Sequence, residues 1–418
     1  MNAIQNGRPY SKPWRLTKFK YLALVRKGRV TNEATTLPIS ESDVPYLSME
    51  YLRGEVAASS YMAVTPELIL AQDGDILLLW DGSNAGEFIR SKRGAVSSTI
   101  AQIIPRDNVI DRDFLFWSCK AFEKIIRAET IGMGIPHVSG ESLGSLQLPL
   151  PPLVDQRRVV FDLEQELARI DALIESKESF LQLLTEKRQA LITHVITRGV
   201  DSSVPLCDSG LSWAGRIPKH WRVIQFKFIC SSIQTGPFGS QLHANDYVDG
   251  GIPVINPAHL INGTIVPDMR VAVDEHAAKQ LSIHRLFPGD IIFARRGELG
   301  RCAVVQEYQA GWLCGTGCLR IRLKPEVVPR YMALIFEITG AAEYLALESV
   351  GSTMDNMNTE ILGSFPIIFP PYDEQIAIVN GIISQITKLD SLREATEESV
   401  KLLIERRSVL IADKVLGN

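Results

Sequence analysis

The chain has 418 residues, 45% of them hydrophobic and 22% charged, the balance of an ordinary globular protein with room for two or three domains. No apolar run reaches the ~18 residues of a membrane span, and Met1 to Lys20 lacks the apolar core of a signal peptide. A formal net charge of −4 excludes a chain that is basic throughout, so any nucleic-acid contact would need a basic face balanced by acidic helices elsewhere.

In chain order, a first globular domain is expected over residues 1–148. Asp75-Ile76-Leu77-Leu78-Leu79-Trp80 is a short apolar strand, followed by the turn Asp81-Gly82-Ser83-Asn84-Ala85-Gly86. Phe114 to Ile126 reads as a helix. Leu148-Pro149-Leu150-Pro151-Pro152 cannot be helix interior, and Asp155 is placed to cap a helix start. A run without Pro or Gly then extends to Arg198, so 149–198 is expected to hold a long helix. Its apolar residues step by threes and fours: Val160, Leu163, Leu167, Ile170, Ile174, Leu181, Leu184, Leu191 and Val195, with Lys177 and Arg188 in the same series. That is coiled-coil spacing. At ~1.5 Å per residue, its ~43 residues make a rod of roughly 64 Å.

Residues 199–212, rich in Gly, Ser, Asp and Pro, read as a linker, and 213–366 as a second globular domain. The strand Asp290-Ile291-Ile292-Phe293-Ala294 leads into the turn Arg295-Arg296-Gly297-Glu298-Leu299-Gly300, and Arg330 to Thr339 reads as a helix. Phe369-Pro370-Pro371 and Asp373 open a second long helix over 367–418. Its seam is Val379, Ile382, Ile386 and Leu389, then Val400, Leu403 and Leu410, and it is weakened by Gly381, Arg393 and Thr396.

The second half repeats the first. Gly132, Leu143-Gly144-Ser145, Pro151-Pro152, Gln156, Asp171, Leu184, Arg188 and Leu191 return 219 residues later as Gly351, Leu362-Gly363-Ser364, Pro370-Pro371, Gln375, Asp390, Leu403, Arg407 and Leu410. Further upstream the offset is smaller: Trp14 answers Trp221, and Gly74-Asp75-Ile76 answers Gly289-Asp290-Ile291. Insertions accumulate in loops but not in rigid elements. Each repeat is therefore a loop-rich domain followed by a helix whose length matters. The economical way to cover both apolar stripes is to pack the helices on each other, and a duplicated chain can adopt a pseudo-twofold arrangement. The expected class is α+β: two mixed α/β domains separated by a pair of long antiparallel coiled-coil helices.

The order domain, helix, domain, helix, together with Gln234-Thr235-Gly236-Pro237-Phe238-Gly239-Ser240, Gly251-Ile252-Pro253-Val254-Ile255, Arg296-Gly297, Leu148 to Arg158 and Glu186 to Ile192, resembles the specificity subunit of type I restriction-modification systems along essentially the whole chain. The resemblance implies two target-recognition domains, each reading half of a bipartite duplex DNA sequence. It also implies two methyltransferase subunits and, in the full complex, restriction/translocation subunits as partners. The first domain departs from the pattern: it lacks the Gly-Pro-Phe-Gly-Ser turn, and Trp80-Asp81-Gly82 stands where the second has Arg295-Arg296-Gly297.

Bases are read by side chains that reach groove edges, and phosphates by Arg, Lys and backbone N–H groups. The candidate DNA contacts are Arg295, Arg296, Gly297, Gln234, Gly236, Phe238, Ser240 and Gln241 in the second domain, and Asn84, Arg90, Lys92 and Arg93 in the first. The competing explanations are a solvated loop for the arginines, a purely structural turn for Gly236 to Ser240, and a solvated face for the cluster at Arg90.

Catalytic signatures are missing. Phe369-Pro370-Pro371-Tyr372 has the outline of the Asp/Asn-Pro-Pro-Tyr/Phe motif of adenine methyltransferases, but Phe369 cannot accept a hydrogen bond from an amino group. No phosphate-binding loop of the Gly-x4-Gly-Lys-Ser/Thr form occurs. Of the six cysteines only Cys314 and Cys318 lie close, which fits buried thiols better than a zinc site and agrees with a reducing cytoplasm. The expectation is a non-catalytic subunit without a cofactor, with S-adenosylmethionine and ATP on partner subunits. A coiled-coil scaffold without DNA readout and a self-contained adenine methyltransferase are the rival readings.

Overall fold

A computed structural model describes residues 14–29, 34–132, 134–238, 241–243, 246–297, 300–349 and 357–417. The chain divides into two compact units. One comprises Met1–Glu178 with Glu398–Asn418, the other Ser179–Glu397. Each unit therefore draws on both sequence repeats.

In the first unit, strands Ala23–Lys27, Ile100–Pro105, Ile76–Leu79 and Phe88–Arg90 form an antiparallel sheet in that spatial order. Ile76–Leu79 is buried throughout, as a central strand with both faces covered must be. A second sheet pairs Val44–Leu47 with Gly94–Val96 in parallel. Helix Arg112–Ala128 packs on the first sheet through Phe114, Leu115, Cys119 and Phe122, and the Asp111 side chain caps its first turn by accepting from the Phe114 N–H. Arg15–Lys18 pairs with Gln147–Leu150, which brings the start of the domain to the root of the long helix.

The second unit repeats this plan. Cys230–Thr235, Cys318–Leu323, Ile291–Ala294 and Cys302–Val304 form the antiparallel sheet, and Ile252–Ile255 runs parallel to Leu313–Cys314 in the other. Arg222–Gln225 pairs with Pro366–Phe369 ahead of the second long helix. Two local features differ from the sequence expectation. The helix expected over 330–339 is two helices, Pro329–Phe336 and Thr339–Ser349. The linker region contains a strand, Leu206–Asp208, paired with Arg216–Pro218, and Trp213 between them stacks on Phe365.

The long helices are Leu153–Arg198 and Tyr372–Leu416. Asp155 and Asp373 lie inside the first turn rather than at the cap, where a carboxylate still faces the positive end of the helix dipole. In the first unit Val160, Leu163 and Leu167 share the core with Ile411 and Val415. In the second unit the equivalent Val379, Ile382 and Ile386 share it with Ile192 and Ile196. The seam positions Ile170, Ile174, Leu181, Leu184, Leu191, Leu389, Val400, Leu403 and Leu410 are buried or half-buried.

Ion pairs repeat the correspondence. Arg407 bonds Asp171 at 2.8 Å in the first unit, and its equivalent Arg188 bonds Asp390 at 3.2 Å in the second. With Glu166–Lys414 in the first unit, and Gly381 facing Val200 in the second, each unit holds two helix segments that run in opposite directions. Arg188 also bonds Glu337 of the adjoining domain at 2.8 Å, so a charge standing in an apolar series is neutralised from two sides.

A fully buried glutamine fastens each domain to its helix. Gln156 accepts from the Asp111 N–H at 2.7 Å and donates to the Pro151 carbonyl at 2.8 Å. Gln375 accepts from the Val328 N–H at 2.9 Å and donates to the Pro370 carbonyl at 3.0 Å. Each amide satisfies these two backbone groups, and Gln156 donates also to the Val109 carbonyl at 3.4 Å. Gln375→Ala should therefore lower stability by about 2–4 kcal/mol, measured as a fall in the denaturation midpoint of the full chain, with Gln156→Ala behaving alike.

Candidate nucleic-acid interface

Three turns meet at one end of the antiparallel sheet in each unit. In the first unit the Gly28 N–H donates to the Ile100 carbonyl at 2.9 Å, and the Trp80 N–H to the Thr99 carbonyl at 2.8 Å. In the second unit the Gly236 N–H donates to Cys318 at 3.0 Å, and the Arg295 N–H to Gly317 at 2.9 Å. Gly28 is thus the counterpart of Gly236. A Cβ on Gly28 would sit 2.1 Å from the Ser97 carbonyl oxygen, and one on Gly236 would sit 1.9 Å from that of Gly315. The first domain keeps the close-approach glycine of the second although the residues around it differ, and only the fold reveals it.

In the second unit these turns gather several of the candidates. Arg296 and Gly297 are exposed. Arg295 is half-buried and donates through Nε to the Met357 carbonyl at 2.9 Å; burial and the neighbouring Arg296 charge both push its pKa down. Gln234 accepts from the buried Arg320 at 2.7 Å, which holds its amide in one orientation. Gln241 accepts from the Phe238 N–H at 2.9 Å, and Phe238 is 64% exposed. Ser240 lies outside the described residues.

In the first unit the candidates scatter. Arg90 bonds Asp113 at 2.6 Å and the Gly74 carbonyl at 3.1 Å, and its guanidinium lies 4.0 Å from the Phe116 ring centroid. Lys92 donates to the Tyr51 carbonyl at 2.8 Å and sits over the Tyr51 ring. Both cations are engaged inside the domain. Arg93 is exposed, with its backbone N–H on Asp73. Asn84 is exposed on the turn beside Trp80 and accepts from Arg127 at 2.9 Å. Lys27 pairs with Asp81 at 2.7 Å. Loop ends held this rigidly by a sheet can present polar groups to the grooves of a duplex.

Burial raises the thiol pKa of Cys314 to about 12 and pushes that of Cys318 up as well. Among the described residues no cluster of His, Cys, Asp or Glu is arranged to hold a metal ion, and no helix is long and apolar enough to cross a membrane.

The glycine contact supplies a direct check on this geometry. Gly236→Ala and Gly28→Ala should each cost about 1–3 kcal/mol, because the obstacle is backbone and not a movable side chain. Urea unfolding of the full chain reads the loss, and unchanged midpoints would refute the close approach.

The sequence profile of the type I restriction modification DNA specificity domain matches residues 12–179 and 218–402. The MjaVIII type I restriction enzyme specificity subunit of Methanocaldococcus jannaschii is 26% identical over 383 residues, covering 90% of this chain and 87% of that protein. The EcoBI specificity subunit of Escherichia coli is 20% identical over 364 residues, covering 84% and 73%. Among solved structures, a chain from a study of complex assembly and conformational transition in the type I restriction-modification system aligns with a TM-score of 0.73 at 17% identity, over 97% of this chain and 99% of that one. The HsdS subunit of Thermoanaerobacter tengcongensis aligns at 0.51 and 15%, over 99% of both. With both of its repeats matched by that profile, the chain belongs to the type I restriction-modification DNA specificity family.

Proposed function

We propose that this chain is the DNA specificity subunit of a type I restriction-modification complex. Each globular domain reads one half of a bipartite duplex sequence, and the two long helices fix the distance between the halves. The supporting observation is the repetition of one plan in both units: the same sheet order, the same three turns, the same buried glutamine and the same helix contacts. Duplicated reading domains suit a target in two parts.

In this proposal residues 1–148 and 213–366 are the recognition domains, joined by the helices of 149–198 and 367–418 and the segment 199–212 in a pseudo-twofold internal repeat. The helices form an antiparallel coiled coil along their length. Their outer faces, where Phe161, Leu173, Leu392 and Leu402 are exposed, dock two methyltransferase subunits. Restriction/translocation subunits join in the full complex. The chain itself is non-catalytic; S-adenosylmethionine and ATP are bound by the partners. Those partners supply most of the phosphate contacts, which reconciles a net charge of −4 with DNA binding.

A ruler makes a quantitative demand. One heptad adds about 10 Å of helix, which is roughly three base pairs. Inserting a heptad in register into both long helices should lengthen the unread spacer of the methylated sequence by that amount. Both half-sites should stay the same. Methylome sequencing of cells carrying the variant reads the result, and an unaltered spacer would refute the ruler.

A further inference from the structure

The turn end of the first unit opens into a groove of about 380 Å³ whose lining includes Glu50, Asp81, Ser83, Asn84, Ser98 and Thr99. Ser83, Asn84, Thr99 and Glu50 are exposed there. The groove is built rather than incidental. The Tyr46 hydroxyl accepts from the Ser98 N–H at 3.2 Å, Lys27 holds Asp81, and Arg127 takes the Asn84 carbonyl oxygen. The one basic residue of the lining, Arg53, is paired with Glu87.

Its position corresponds to the turns that carry Arg295 and Arg296 in the second unit, as the Trp80–Thr99 and Arg295–Gly317 bonds show. Its chemistry differs. Asp81 is paired with Lys27 and the Asn84 amide oxygen with Arg127; the hydroxyls, the Glu50 carboxylate and the remaining lone pairs of Asn84 and Asp81 can accept hydrogen bonds from amino groups on base edges. We infer that this groove is the half-site reader of the first unit, and that it recognises exocyclic amino groups, adenine N6 or cytosine N4, in the major groove. The inference rests on the DNA-reading function proposed above. It places Asn84 in that reader, beside the exposed Ser83 and Thr99 hydroxyls and the Glu50 carboxylate.

The test uses the full chain in complex with its methyltransferase subunits. The variant Ser83→Ala/Asn84→Ala/Thr99→Ala should leave one half of the methylated sequence intact. The other half should lose discrimination at one or two base pairs by roughly 10- to 100-fold. Duplexes in which single bases of that half lack the exocyclic amino group (purine for adenine, 2-pyrimidinone for cytosine) should bind the unsubstituted complex more weakly by a similar factor. They should bind the triple variant without further loss. Should the triple variant yield no complex, Ser83→Ala and Thr99→Ala singly carry the same expectation. Both halves read at full stringency in the variants, or an amino-group dependence that persists in them, would overturn the proposal. Methylation of the same bipartite sequence in cells without the chain would instead overturn the specificity-subunit reading, so the two failures are distinguishable.

Discussion

Each unit of this chain builds its core from both repeats. The core of the first unit takes Val160, Leu163 and Leu167 from the helix that follows its domain, and Ile411 and Val415 from the last turns of the other helix. The second unit makes the reciprocal exchange with Val379, Ile382, Ile386, Ile192 and Ile196. Fully burying a side chain of this size stabilises by about 1.5–3 kcal/mol, so five such residues per unit are a large share of the stability of any one domain. The helix contacts are therefore part of each unit's core.

Polar contacts add direction to that apolar requirement. Hydrophobic stripes can slide or reverse, but Arg407 with Asp171, and Arg188 with Asp390, are met in only one register and one orientation. The exposed pair in the first unit contributes little energy. In the second unit, Arg188 is shared with Glu337 and is less exposed. The buried Gln156 and Gln375 then fasten domain to helix through backbone groups whose positions do not depend on loop sequence. Loops can diverge between repeats under this arrangement while the frame that presents them stays constant.

Much of this was legible in the sequence because it rests on spacing. The constant offset of 219 residues located the long helices, and their three-and-four steps located the seam. Ile192, Ile196, Ile411 and Val415 escaped that reading because a heptad describes contact with one partner, whereas these residues face a domain core as well. Gly28 escaped because its importance lies in the Ser97 carbonyl, 69 positions away in the chain. Arg90 and Lys92 look like a binding cluster by density alone. The fold engages them with Asp113, Phe116 and Tyr51, contacts that no local pattern announces. Charged side chains near one another in sequence say little about a binding face until their internal partners are known.

The two helices pair within one chain, at equivalent positions in each unit. Cysteines introduced by Asp171→Cys with Arg407→Cys, and separately by Arg188→Cys with Asp390→Cys, can be bridged by a short bifunctional maleimide in the full-length protein. Both pairs should cross-link within a single chain, shown by peptide mass spectrometry and the absence of a dimer-sized product. Cross-links found only between chains, or at neither pair, would contradict it.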